Sequence, residues 1–359
     1  PYLCPDPEKN EIEFLRYLIE LGKCLPHKGM LFATNDIWLV PISKNREELS
    51  KYYLYPMSEW SIIEKCWNKR YLYDIAQKVG IPIAKTYFVE RLSDFDVIAN
   101  DIHFPCVIKP ENTIGFREKL KSKGRTITIS NYEQLMYWRK RIIDAELDNT
   151  PLIFQELIIG PVTSLYTITS YSNTNADIIA YSIGHKIRQT PPDAGTIVSG
   201  RVKHNPEVLE LGTKLIKALG FYGIANTEFK QDEKDQKFKL IEINPRPGMW
   251  NYSALMSGIN LPYIAYRDLL GESFELFPHS EEEKVWIMLL EDFSSSLFSF
   301  RKDGYAEYAV SPTEWFRTVW GKKIFAIESF HDPMPGVVHA VNFFAKVLFR
   351  LSKIGNKSR

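Results

Sequence analysis

Residues Ile224 to Arg246 read IANTEFKQDEKDQKFKLIEINPR. The pattern predicts two strands joined by a charged turn, QDEKDQK. Side chains alternate along a strand with a period of two, so Phe238, Leu240, Glu242 and Asn244 are expected on one face. Antiparallel pairing about Asp235 sets Glu228 directly opposite Glu242. Two facing carboxylates repel, and a bridging cation keeps them together. Two carboxylates and an Asn carbonyl make an all-oxygen set that suits magnesium, with manganese as second choice. Pro245 ends the strand, and Arg246 just beyond it is placed for an anion. An acidic hairpin edge with solvated charges would account for Glu-x-Asn alone. The upstream Glu and the closing Asn-Pro-Arg favour the metal.

This run resembles the metal-binding end of ATP-grasp enzymes. The resemblance implies an α/β (α+β) chain whose two α+β subdomains clasp ATP. It implies that Glu228, Glu242 and Asn244 hold magnesium against the ATP phosphates, with Arg246 following two residues later. ATP-grasp enzymes carry an N-terminal α/β domain, and by this resemblance the present one lacks its first strand and helix. Either the gene product is longer than this chain or that domain is reduced.

The chain has 359 residues, enough for two or three domains. A hydrophobic content of 45% allows a large core, and a formal charge of +1 gives no global field for nucleic acid. Cys4, Cys24, Cys66 and Cys106 show no metal or disulfide spacing, which fits reduced thiols in a cytoplasmic protein. No signal-peptide pattern opens the sequence, and no apolar run is long enough to span a bilayer.

Three segments are expected: residues 1–66 as a partial N-terminal α/β domain, 67–271 as the ATP-grasp domain and 272–359 as a C-terminal extension. Within the second, 67–155 form the small subdomain and 156–271 the metal and substrate subdomain. Asp6 can cap a helix with Pro7 at its first position and Gly22 beyond its end. GMLFATNDIWLVPIS predicts short strands around Asn35 and Asp36. A helix closed by Gly80 leads to a strand near Thr86 to Val89. FPCVIKP is a short buried strand, RTITIS another, and Ser130 with Glu133 makes a capping box. SLYTITSY and ADIIAYSIG pair as a hairpin, and Asn205-Pro206 opens a helix that ends before Gly220. The last stretch, GVVHAVNFFAKVLFRLSKI, puts His339, Asn342, Lys346, Arg350 and Lys353 on one helical stripe. The first expectation is a helix buried against the protein; the alternative is a basic amphipathic helix making peripheral contact with a membrane surface.

Lys109 ends its strand just before Pro110, where a compact charge can meet phosphate oxygens. A basic loop, GFREKLKSKG, follows from Gly115 to Gly124. By the resemblance Lys109 contacts ATP phosphates, and Arg125 or its rival Lys123 is the second nucleotide cation. Gln155, Glu156, Leu157 and Ile158 match the linker whose main chain reads adenine. Lys69 takes a further nucleotide-contacting place. No Walker A motif appears, and no G-x-G-x-x-G follows a strand.

HKIRQTPPDAG places Lys186 and Arg188 on one face at a spacing of two. Together with the later GIANTEFK, this phrase resembles the D-aspartate ligase group of ATP-grasp proteins. The resemblance implies a carboxylate–amine ligase acting on small molecules, linked in some members to cell-wall or polysaccharide metabolism. ATP would phosphorylate a carboxylate, and an amine would displace phosphate from the acyl phosphate. Lys186, Arg188 and Arg246 would be catalytic. Phosphorylation of bicarbonate or a hydroxyl, and a non-catalytic nucleotide scaffold, remain as alternatives.

Overall fold

Asn10 starts the first helix. Its side chain accepts from the Glu13 N–H, and α1 runs Glu11–Lys23. The expected cap, Asp6, instead closes a turn whose carbonyl accepts from the Lys9 and Asn10 N–H groups. Gly22 does not stop the helix. It lies buried within α1, where a Cβ would sit 2.5 Å from the Cβ of Tyr52. The glycine is there for close packing, not for a turn.

The computed structural model describes residues 3–91, 98–99, 101–110, 127–147, 150–192, 195–272, 282–299, 305–329 and 331–355. By internal contacts it divides into two compact units. One comprises Pro1–Ile183 and His204–Ser280, the other Gly184–Lys203 and Glu281–Arg359.

In the first unit, β1 (Gly29–Met30) pairs in parallel with β2 (Tyr53–Leu54). The strands expected around Asn35 and Asp36 are a helix, α2 (Asp36–Lys44). Asn35 caps it by accepting from the Ile37 N–H, and Asp36 puts a negative charge in its first turn. Burial of Leu39 and Ile42 holds this helix despite Pro41 inside it.

The helix α3 (Lys69–Lys78) is capped by Asn68, and the chain turns out of it through Gly80 at φ +70°. A four-stranded antiparallel sheet follows, in the order β3-β6-β4-β5: β3 (Thr86–Val89), β4 (Cys106–Pro110), β5 (Ile127–Ile129) and β6 (Leu152–Glu156). Ile108, Ile129 and Phe154 of this sheet bury against Leu135 and Ile142 of α4 (Tyr132–Asp144). The capping box lies one residue later than expected. Asn131 accepts from the Gln134 N–H, and Gln134 Oε1 accepts from the Ser130 N–H.

The second sheet begins in this unit with the order β11-β10-β7-β8. Its strands are β7 (Leu165–Ser172), β8 (Ile178–Thr190), β10 (Gly223–Gln231) and β11 (Phe238–Asn244). The helix α5 (Pro206–Leu219) opens at Asn205 and closes at Gly220 in the left-handed region. Phe229 and Leu240 lie in a core with Leu215, Ile216, Leu72 and Tyr73.

In the second unit, the end of β8 pairs with β9 (Thr196–Val202). The C-terminal segment adds β12 (Lys284–Ile287) antiparallel to β9, and β13 (Lys322–Phe325) parallel to β12. Residues 184–203, expected inside the ATP-grasp domain, thus group with the C-terminal segment through a shared ladder. Two short helices, α6 (Leu289–Ser294) and α7 (Pro312–Thr318), precede the final helix, α8 (Met334–Gly355). The buried packing expected first for α8 fails, because Val337, Val338, Val341 and Phe344 are exposed. Among the described residues no helix is long and apolar enough to cross a membrane.

Candidate active site

β10 and β11 pair antiparallel with Glu228 opposite Glu242 and Asn226 opposite Asn244. The register then shifts between Glu228 and Phe229. Phe229 pairs with Leu240, which leaves Ile241 as the extra residue of a bulge. This corrects the expectation that Phe238, Leu240, Glu242 and Asn244 share one face. Glu228 and Phe229 point to opposite sides, and their partners follow them. Leu240 is fully buried beside Phe229, whereas Glu242 and Asn244 are only half-buried. The bulge is what allows a greasy strand to turn its carboxylate outward.

The bulge also frees a carbonyl. Asn68, as cap, fixes Lys69 at the first position of α3, and Tyr73 lies one turn later on the same side. Both reach Ile241 O, Lys69 Nζ at 3.0 Å and Tyr73 OH at 2.9 Å. Lys69 Nζ is also 3.3 Å from Glu242 Oε2. Burial alone would lower the Lys69 pKa, but Glu242, Tyr73 and Glu228 together outweigh it and raise it.

Lys109 lies at the end of β4, with Nζ 2.9 Å from Gln155 Oε1 on β6. Burial, then the nearby charge of Lys69, pushes its pKa down to about 7, with Glu242 opposing. The ammonium is therefore held in surroundings that disfavour its charge until an anion arrives.

Arg246 makes a two-pronged ion pair with Asp36: Nε to Oδ1 at 2.7 Å and Nη2 to Oδ2 at 3.0 Å. Its Nη2 is also 3.4 Å from Asn244 Oδ1, and Asn244 Nδ2 donates to Glu242 Oε1 at 3.0 Å. A continuous polar chain thus runs Asp36–Arg246–Asn244–Glu242–Lys69. Among the described residues no three His, Cys, Asp or Glu side chains cluster as a metal site. The donor set is two carboxylates and one amide. Flipping the Asn244 amide turns its oxygen toward Glu242, and the set is then all oxygen, as magnesium or manganese requires.

The linker residues make several contacts of their own. Gln155 donates to Thr86 Oγ1 at 2.8 Å, and Glu156 Oε1 lies 2.7 Å from His103 Nδ1. The Leu157 N–H donates to Pro105 O, and the Ile158 carbonyl accepts from Lys230 Nζ at 2.9 Å. Lys123 and Arg125 lie outside the described residues.

Lys186 and Arg188 belong to the second unit. A second bulge corrects their shared face. Lys186 pairs with Gly200 and Arg188 with Ser199, so neighbours on β9 send the two cations to opposite sides. Lys186 Nζ is 3.3 Å from Gln189 Oε1. Arg188 meets Asp292 through Nε at 2.8 Å and Nη2 at 2.7 Å, and Thr318 through Nη1 at 2.7 Å. Asp292, fully buried, also accepts from Ser199 Oγ and Trp315 Nε1, both at 2.7 Å. Arg188 is thus placed as the centre of a buried network.

Asp36, Tyr73 and Asp292 escape sequence reasoning. Asp36 and Arg246 are 210 residues apart, and no spacing links them. The only signal for Asp36 is a carboxylate beside an Asn cap.

A family model described as "ATP-grasp in the biosynthetic pathway with Ter operon" matches residues 185–288. The D-aspartate ligase of Enterococcus faecium (strain Aus0004) is 24% identical over 251 residues, covering 67% of this chain and 58% of the ligase. The solved L-amino acid ligase from Bacillus licheniformis has a TM-score of 0.56 at 19% identity, over 76% of this chain and 63% of that one. The biotin carboxylase domain of Hydrogenobacter thermophilus 2-oxoglutarate carboxylase, solved with MgADP and bicarbonate, has a TM-score of 0.55 at 16% identity, over 74% and 58%. The chain spans less than two thirds of the length of each of these relatives. At such identities the likeness concerns architecture, and it agrees with the sheets, hairpin and helices described above: the chain carries the mixed α+β subdomains of the ATP-grasp fold, followed by a C-terminal helical region.

Proposed function

We propose that this chain is an ATP-dependent carboxylate–amine ligase that forms an amide through an acyl phosphate. The observation that carries the reading is the Glu228–Glu242 pair on the outward side of the bulged hairpin, joined by Asn244 and flanked by Lys69. Glu228, Glu242 and Asn244 would hold magnesium or manganese, which supplies charge neutralisation at nucleotide phosphates.

Lys69 and Lys109 face the phosphates in this scheme. For Lys123, Arg125 and the main chain of Gln155, Glu156, Leu157 and Ile158, the nucleotide role rests on the family resemblance. A substrate oxygen, carboxylate or phosphoryl, takes the place beside Arg246 that Asp36 now fills. Lys186 is assigned to the transferring group by resemblance. Arg188, with its nitrogens engaged by Asp292 and Thr318, is assigned to holding β8 rather than to touching substrate.

In the reaction, a carboxylate oxygen attacks the terminal phosphorus and ADP departs with the bonding electrons. A neutral amine then attacks the acyl carbon, the C–O bond to phosphate breaks, and the nitrogen sheds a proton. The likeness to D-aspartate ligase supports amino acids as substrates. A place in cell-wall or polysaccharide metabolism rests on the family resemblance, and a cytoplasmic one on four cysteines without disulfide spacing.

The test is Glu242→Gln, with a panel of amino acids and amines screened for stimulated ADP release. The variant should lose amine-dependent ADP formation by at least about a thousandfold while keeping its circular dichroism and melting temperature. Unchanged turnover in Glu242→Gln overturns the assignment.

A further inference from the structure

α8 is built inside out. A helix resting on a folded body normally turns its apolar stripe inward. Here the inward side carries His339, with Nε2 2.6 Å from Glu291 Oε1 and Nδ1 3.8 Å from Glu328 Oε1. Gly336, on the same side, is closest to Glu328. The apolar side faces solvent: Val337, Val338, Val341 and Phe344 are 53, 51, 63 and 56% exposed. At 3.6 residues per turn, Lys346 falls on the opposite stripe, that of His339.

We propose that α8 is a docking helix for an anionic lipid surface, lying in the plane of the interface with Val337, Val341 and Phe344 inserted. The charge pattern selects this occupant. From Met334 to Gly355 the helix has no Asp or Glu, and its charged residues are Lys346, Arg350 and Lys353. Lys357 and Arg359 follow in the sequence. A cationic helix with an open apolar face is complementary to acidic headgroups over acyl chains. A second copy of the chain is the poorer match. A two-fold contact through the same face would draw two cationic helices together with no acid on either to compensate. Spanning is a different matter, since among the described residues no helix is long and apolar enough to cross. This inference does not depend on the ligase reading.

The test is co-sedimentation of the full chain with vesicles of phosphatidylcholine alone and with vesicles of about three parts phosphatidylcholine to one of phosphatidylserine. The chain should pellet with the second and stay in solution with the first, and salt should release it. V341D/F344D should lower the bound fraction about tenfold or more with an unchanged melting curve. Lys346→Glu should weaken binding to the anionic vesicles while leaving the apolar face intact. Three results overturn the proposal. One is no pelleting with either vesicle. Another is binding indifferent to V341D/F344D or to phosphatidylserine. The third is a dimer dissolved by V341D/F344D without vesicle binding, which would make a second copy the partner.

Discussion

Mixing the protein with ADP and magnesium at pH 8 should draw protons from solution through Lys109. Its pKa is held down at about 7 by burial and by Lys69. At pH 8 about one free molecule in ten carries the proton. A phosphate beside the ammonium outweighs burial and the Lys69 charge, so the bound form is protonated and each binding event takes up about 0.9 proton. Affinity should fall as pH rises above 7, approaching tenfold per pH unit and totalling about fiftyfold between pH 7 and 9, until the bound-state pKa is reached. Titration calorimetry at pH 8 in buffers of different ionisation heat measures the uptake directly. Lys109→Met should abolish the uptake and flatten the pH dependence.

The same group sets a trend in the free protein. Folding lowers the Lys109 pKa, so between about 7 and its ordinary 10.5 the unfolded chain binds the extra proton. Free-protein stability from this group therefore rises with pH across that window, and Lys109→Met removes the rise. The variant should melt higher at pH 7 while binding nucleotide worse. Full-strength ADP binding at pH 8 without proton uptake would refute the placement of Lys109 against phosphate.

Two further substitutions probe the scaffold. Asp292→Ala strands the Arg188 guanidinium in a buried site and should cost about 3–5 kcal/mol in denaturant unfolding, with partial recovery in Asp292→Ala/Arg188→Met. Gly22→Ala puts a methyl 2.5 Å from the Tyr52 Cβ, a backbone-anchored atom, and should lower stability by about 1–3 kcal/mol despite the better helix propensity of Ala.

Much of the architecture was legible because local chemistry and tertiary packing agree. Asn205-Pro206 and Gly220 bound α5 as their types demand, and the Glu228–Glu242 pairing follows from the symmetry of the hairpin. Failures came where packing overrides local preference. Gly22 reads as a helix stop, yet Tyr52 and Tyr53 approach it so closely that only glycine fits. The apolar run after Asn35 reads as strand, yet a cap and a buried face make it helix. Side-chain direction failed twice for one reason. Period-two counting holds only without insertions, and both Ile241 and Ile187 sit where the register slips. The partners of Arg246 and Arg188 are invisible in sequence because contacts across 210 and 104 residues leave no spacing to read.

The slip at Ile241 makes that residue spare to the ladder. Excising this single residue would leave Phe229 opposite Leu240 and Glu228 opposite Glu242, and plain alternation would still hold the leucine inward and the acid outward. What the strand would lose is the Ile241 carbonyl, the shared anchor of Lys69 and Tyr73. A one-codon loss there would spare the pairing of the acids and cast adrift the lysine that the spare residue moors.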